Sequence, residues 1–330
     1  MDLKLTLGTL LLACLTGLTH ATPKPNSFAD APATIEFARE MEQRHGFNAD
    51  ELLGKFAQTS SNAKVLQLIK PPASPQQRSW ERYRPRFLND RRIDGGVRFW
   101  QDNRTVLARA RALYGVPEEI IVAIIGVETE YGRNTGGFRV LEALATLAFD
   151  YPRRAEFFRT ELEQFLLLAR ENNMDPLAIK GSFAGAIGIP QFMPGSQRRY
   201  AVDFDGDQRV DLSGSFDDAI GSVGRFLEQH GWQAGQPIAV VGQTQGEPAR
   251  ELIEAGIRPT LKVGELAARG ISARAGAEDS VALVDLVSPG RETEYWLGYE
   301  NFYVITRYNR SSFYAMSVFQ LAEEIRQRMR

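Results

Sequence analysis

The chain has 330 residues, 43% hydrophobic and 24% charged, the profile of a folded globular protein rather than a disordered or collagen-like one. Lys plus Arg number 39 against 41 Asp plus Glu, a formal net charge of -2, which gives no overall electrostatic footprint for nucleic acid. The cysteine count is 1 and the histidine count 3: Cys14, His20, His45 and His230.

Lys4 precedes a mostly apolar stretch, Leu5 to Leu18, followed by Thr19-His20-Ala21 and then Thr22-Pro23-Lys24-Pro25. This reads as a secretory signal peptide over residues 1–21. Cleavage after Ala21 leaves no cysteine, which excludes disulfides, a thiol nucleophile and a cysteine-ligated metal. A rival reading is lipid attachment at Cys14 within Leu11-Leu12-Ala13-Cys14, for which Leu12 and Leu15 fit poorly. No later apolar run reaches the length of a membrane span, so no transmembrane helix is expected.

Ala31 to Ser61 has helical spacing. Gln76 to Phe87 is basic and aromatic, either a helix end packing its rings inward or part of a polar ligand groove. Ile93 to Tyr114 predicts an amphipathic helix ending at Gly115. Pro117-Glu118-Glu119 opens an apolar helix, with acidic residues at its positive end. Further helices are predicted over Arg139–Ala148, Arg153–Asn172 and Asp217–His230. Gly181 to Gly195 is too glycine-rich for regular structure and predicts turns. From Ile238 the character changes. Ile238–Val241, Ser280–Val287 and Tyr295–Thr306 read as strands, with short helical pieces at Glu251–Gly256 and Val263–Arg269. The tail, Phe313–Arg330, returns to helix.

On the helix after Pro117, Ile121, Ile124, Ile125 and Glu128 fall at i, i+3, i+4 and i+7, so Glu128 ends an apolar stripe. A carboxyl group in such surroundings favours its neutral form, as a general acid near neutral pH requires. A structural carboxylate at a helix end is the plainer alternative. Glu130 falls about 200° round from Glu128 at roughly 100° per residue and is expected in solvent. The loop Gly181–Pro194 offers Ser182 and Gln191 on flexible backbone, suited to sugar hydroxyl and acetamido groups, and lacks a phosphate-loop pattern.

Gly126-Val127-Glu128-Thr129 with Tyr131-Gly132, then Phe149-Asp150-Tyr151-Pro152-Arg153-Arg154, Gly181-Ser182-Phe183-Ala184-Gly185-Ala186, Gln191-Phe192-Met193-Pro194 and Ile305-Thr306-Arg307-Tyr308-Asn309-Arg310 resemble the lytic murein transglycosylase B family, in the same order. The resemblance runs from about Phe37 to the C-terminal helix. It implies a periplasmic enzyme that cleaves the β-1,4 bond between N-acetylmuramic acid (MurNAc) and N-acetylglucosamine (GlcNAc) in peptidoglycan, leaving a 1,6-anhydro end. Glu128 occupies the position of the single acid and base, and no catalytic cofactor is implied. Tyr83, Arg153, Arg154, Ser182, Gln191, Tyr308, Asn309 and Tyr314 match residues of the glycan cleft. Phe226 stands where a close relative has a cleft tyrosine, so stacking is kept and a hydroxyl is lost.

Asp203, Asp205 and Asp207 place oxygen ligands at loop positions 1, 3 and 5, with the Arg209 carbonyl available at position 7, an arrangement suited to calcium, or to sodium. Gln208 and Gly214 break the strict EF-hand pattern. The resemblance implies closure by an aspartate, Asp218 or its neighbour Asp217.

The expected fold class is α+β, mainly α. It comprises a helical N-terminal part (22–107), a lysozyme-like core with an EF-hand-like loop (108–237), a small β-rich module (238–298) and a return to the core (299–330). The expected partners are peptidoglycan strands and, by resemblance, penicillin-binding proteins, with a monomeric chain and no nucleic acid. A hydrolytic muramidase and a non-catalytic wall-binding protein are the alternatives.

Overall fold

The computed structural model describes residues 27–71 and 78–330. The leader and Cys14 readings, and Gln76-Gln77 of the basic aromatic segment, lie outside the described residues.

The segment of helical spacing from Ala31 to Ser61 forms two helices, α1 (Pro32–His45) and α2 (Ala49–Phe56). Gly46 ends α1 in the left-handed region at φ 65°, a conformation glycine adopts without strain. Asn48 then starts α2 by accepting the Glu51 N–H. Asn62 likewise caps α3 (Ala63–Leu68) by accepting from Lys64 and Val65. These three helices share one core with α8 (Val140–Asp150) and α9 (Ala155–Glu171). Phe37, Phe56, Phe158 and Phe165 are its largest buried side chains.

A second core forms around α7 (Glu118–Thr129). Between α3 and α7 come α4 (Trp80–Tyr83), α5 (Asp90–Asp102) and α6 (Arg104–Tyr114). The predicted Ile93–Tyr114 helix thus breaks at Asn103, whose side chain caps the Phe99 carbonyl. Every residue from Ile120 to Tyr131 is buried except Glu128. The helix is therefore apolar on all sides, broader than the single stripe read from spacing, as befits a central helix. It packs against α5, α6, α11 (Phe216–Gln229) and α15 (Ser312–Arg328). The short strands β1 (Phe138–Arg139) and β2 (Lys180–Gly181) pair antiparallel, and α10 (Pro194–Tyr200) follows the glycine-rich loop.

The late module is a five-stranded antiparallel sheet in the order β4-β6-β7-β3-β5. Its strands are β3 (Ala239–Thr244), β4 (Leu261–Lys262), β5 (Ile271–Ala273), β6 (Ser280–Leu286) and β7 (Glu294–Gly298). Alternation along β6 faces Val281 and Leu283 toward α12 (Arg250–Glu254) and α13 (Val263–Ala268), and Val284 and Leu286 toward the α7 core. The predicted strand Tyr295–Thr306 is corrected: it ends at Gly298, and α14 (Glu300–Tyr308) begins two residues later. Phe302, Val304 and Ile305 look strand-forming, but as a helix all three enter the α7 core, and burial overrides propensity. Asn301 fixes the helix start by donating to the Gln233 and Gln236 carbonyls. The α7 core draws on residues from Trp80 to Ile325, so apolar packing crosses the sequence divisions at 107, 237 and 298.

Candidate active site

Glu128, in the last turn of α7, is the one partly open residue between Ile120 and Tyr131. Tyr314, near the start of α15, donates its hydroxyl to Glu128 Oε1 at 2.6 Å. Tyr308 stacks nearly parallel to Tyr314, with centroids 6.4 Å apart, and donates to the Pro190 carbonyl at 2.6 Å. Tyr83 packs on Phe313 at 5.6 Å, so the ring of the basic aromatic segment does turn inward.

Burial pushes the Glu128 carboxyl up to about 7, while the Tyr314 hydrogen bond pulls in the opposite direction. Burial, then the Glu128 charge, holds the Tyr308 and Tyr314 phenols well above their ordinary value, so both stay protonated donors. Tyr83 is raised by the same two causes, with Arg86 opposing. The site thus holds a carboxyl poised to give and take a proton near neutral pH.

Glu130 is not in solvent. It is 8% exposed, pairs with Arg91 at 2.5 Å and reaches Arg133 at 3.5 Å. The helix ends at Thr129 and Glu130 turns left-handed at φ 52°, so helical spacing no longer applies there.

The glycine-rich loop is tied to the end of α7. Thr129 Oγ1 donates to the Ile189 carbonyl at 2.8 Å and accepts from the Gly132 N–H. Ser182 Oγ accepts from the Ala184 and Ala186 N–H groups at 3.3 and 3.0 Å, which leaves its own proton for an external acceptor. A Cβ at Gly181 would meet the Ala186 carbonyl at 2.2 Å, so only glycine permits this closure. Gln191, left-handed at φ 52°, spends its amide protons on the Thr135 and Gly188 carbonyls.

A cleft of about 840 Å³ is lined by the expected residues Arg154, Gln191, Phe226, Tyr308 and Asn309. Tyr83 and Tyr314 group around Glu128 instead, Ser182 is absent from the lining, and Arg153 is exposed and also absent from it. Arg154 lies over Phe157 at 4.2 Å. Sequence reasoning missed Arg199, Tyr200, His230 and Arg307, which also line the cleft. The one available signal was the i, i+4 spacing of Phe226 and His230 at the end of α11.

In the acidic loop, Asp203, Asp205 and Asp218 each bring a carboxylate oxygen within 4.8 Å of the others. Asp218 is 1% exposed and accepts the Phe204 and Asp211 N–H groups, both at 2.7 Å. Asp203 accepts from Gly206, Asp207 and Gln208. Asp207 lies outside the three-carboxylate group and accepts the Arg209 N–H at 2.8 Å. Asp217 faces Arg109 at 3.8 Å. Three hard oxygen donors so placed suit a calcium-sized cation.

The Transglycosylase SLT domain family profile matches residues 29–323. The chain is 44% identical to the membrane-bound lytic murein transglycosylase B of Escherichia coli K12 over 311 residues, 90% of this chain and 84% of that protein. The structure of soluble lytic transglycosylase SltB1 from Pseudomonas aeruginosa is 49% identical, with a TM-score of 0.84 over 90% of this chain and 99% of that one. The E. coli lytic transglycosylase Slt35, solved in complex with calcium, is 42% identical, with a TM-score of 0.82 over 92% and 95% of the two chains.

Proposed function

The chain belongs to the lytic murein transglycosylase B family and is a peptidoglycan lytic transglycosylase, and from that premise we propose that Glu128 is its single catalytic acid and base. The observation that supports this most directly is the isolation of that carboxyl. It is raised to about 7, and its resolved hydrogen bond is the one from Tyr314. Glu130 turns away to arginines, and Glu161 on the cleft lining accepts the Gly195 N–H. Glycosidases that hydrolyse with two carboxylates need a second one across the bond.

Protonated Glu128 gives its proton to the glycosidic oxygen between MurNAc and GlcNAc as the bond from that oxygen to the MurNAc anomeric carbon breaks, and the GlcNAc end leaves as an alcohol. The carboxylate then takes the proton of the muramoyl 6-hydroxyl, which closes a 1,6-anhydro ring. Tyr314 holds the carboxylate in both steps. The free proton of Ser182 suits the acetamido oxygen, and Tyr308, Asn309, Gln191, Arg154 and the Phe226 ring suit the strand along the cleft. Mass spectrometry of products from purified peptidoglycan tests the reaction. Anhydro ends support it, reducing ends assign a muramidase, and intact strands assign a binding protein.

Tyr314→Phe removes the hydrogen bond that favours the ionised carboxyl, so Glu128 titrates higher. The alkaline limb of the pH–rate profile is expected to move to higher pH, with kcat lowered about tenfold, in line with a lost bond to a charged group. An unmoved limb would contradict the role given to Tyr314.

Calcium in the acidic loop is part of the same reading, supported by the three-carboxylate group and by Slt35 having been solved with calcium. Asp203, Asp205 and Asp218 would hold it, with Asp207 and the Arg209 carbonyl as the sequence's further candidates and sodium as the alternative ion. The ion would neutralise the loop ahead of α11. A cation bound only by the folded state at 100 times its Kd stabilises by about 2.7 kcal/mol. Calcium is therefore expected to raise Tm, and Asp203→Ala to remove most of the rise. Identical melting curves in chelator and in calcium would leave the loop an acidic turn.

The reading also places the enzyme in the periplasm as a monomer, with penicillin-binding proteins as the partner class. No helix of the described residues is long and apolar enough to cross a membrane. The processed chain is expected to start near Thr22; an intact mass carrying acyl groups on Cys14 as first residue would establish a lipid anchor instead.

A further inference from the structure

One wall of the cleft is a cluster of aromatic rings. Phe226 lies against Phe192, Tyr200 and Tyr308 at 5.5, 5.1 and 4.8 Å. His230 completes it, 4.0 Å from Phe226 and 5.0 Å from Tyr200. Phe192 and Phe226 are buried within it, 2% and 5% exposed, so the partly open rings of Tyr200, Tyr308 and His230 are what a sugar's apolar face can meet, while the hydroxyl and amide protons at its edge need acceptors. The neighbouring arginines Arg154, Arg199, Arg307 and Arg310 are donors only.

We propose that His230 is a substrate-binding residue, its Nε2 accepting a hydrogen bond from a hydroxyl or acetamido N–H of a peptidoglycan sugar lying in the cleft that Tyr200, His230 and Tyr308 line. The tautomer follows from geometry. Nδ1 lies 2.6 Å from the Phe226 carbonyl, which offers only lone pairs, so Nδ1 carries the proton and donates. Nε2 then carries the lone pair, and no donor among the described residues meets it. Burial, followed by the nearby charges of Arg307 and Arg199, pulls the imidazole down, against the Phe226 carbonyl, so the acceptor form prevails at neutral pH. Phe226 backs these rings from within the core, and His230, one turn later, supplies the polar edge.

The inference rests on the cleft being the glycan site, and its test separates the two. Wild type, His230→Phe and His230→Gln are compared by steady-state kinetics on soluble peptidoglycan strands, with melting curves for each. Phenylalanine keeps the stacking and removes the acceptor, whereas glutamine offers an amide oxygen. His230→Phe is expected to raise KM about fivefold, the effect of one lost hydrogen bond, with kcat within about twofold and Tm unchanged. His230→Gln is expected to recover most of the loss. A wild-type KM in His230→Phe, an equal KM rise in both variants, or a joint fall of kcat and Tm would overturn the proposal. Reducing ends from the wild-type enzyme would instead overturn the anhydro reaction and leave the KM comparison to decide His230.

Discussion

Glu128→Gln is expected to lower the rate of anhydro-product release by at least about 10² to 10⁴-fold, the usual scale for general acid–base assistance, because the proposed mechanism gives both proton transfers to one group. The fold should persist. Glutamine is nearly isosteric, and its amide oxygen can still accept from Tyr314. The same variant reads out the carboxyl's environment through stability. The folded-state value is raised to about 7 from an ordinary 4.5. Between those two values the native chain keeps a proton that the unfolded chain has released, so this group's contribution to stability falls as pH rises through the window. Below it both states are protonated and the contribution is level. Glu128→Gln should therefore be more stable than wild type at pH 8, by about 1–3 kcal/mol, and equal to it at pH 4. Paired melting curves at the two pH values check this. A variant less stable at pH 8 would mean that the carboxylate is well solvated and that its raised value has another origin. Glu130→Gln should leave the chemistry largely intact and weaken folding instead, since it loosens pairs to Arg91 and Arg133 at the end of α7.

Asp218→Ala is expected to cost about 2–5 kcal/mol in metal-free protein. It leaves the Phe204 and Asp211 N–H groups without their acceptor, and an orphaned buried donor costs about 1–3 kcal/mol. For a chain of this size that is a fall in Tm of roughly 3 to 7 °C. Asp218→Asn, which keeps one acceptor oxygen, should lose about half as much. Asp217→Ala, one residue away, removes only a long surface pair to Arg109 and should change Tm little, as surface pairs contribute about 0–1 kcal/mol. Chelator-treated melting curves of the three variants separate them. Equal effects at 217 and 218 would count against the hydrogen-bonded role of Asp218.

What could be read ahead of the structure was what local pattern controls. Glu128 was visible because an uninterrupted apolar run ends on it, and the mainly helical α+β class followed from the order of motifs. Spacing failed wherever the backbone left the helix or tertiary burial overrode propensity. Glu130 was misplaced because the turn at Thr129 stops the periodicity. The segment after Gly298 was misread because Phe302, Val304 and Ile305 favour a strand in isolation and a helix only against the α7 core. Whether Asp217 or Asp218 faces the loop could not be settled by counting, since the two are adjacent carboxylates; the Phe204 and Asp211 amides choose Asp218. Arg199, Tyr200 and His230 stayed hidden because their shared wall is assembled from α10, α11 and α14, which no single stretch of sequence contains.

The hydrogen bond between Tyr314 and Glu128 spans 186 residues, and the whole five-stranded module is threaded between its two ends. A contact of that separation closes a long loop, at a cost in chain entropy. The acid sits on the central helix, and its orienting phenol is supplied by α15. A nascent or truncated chain that stops short of Ser311 has no such partner for its carboxylate. In the proposed mechanism, the orientation of the acid therefore depends on a chain folded through its last helix.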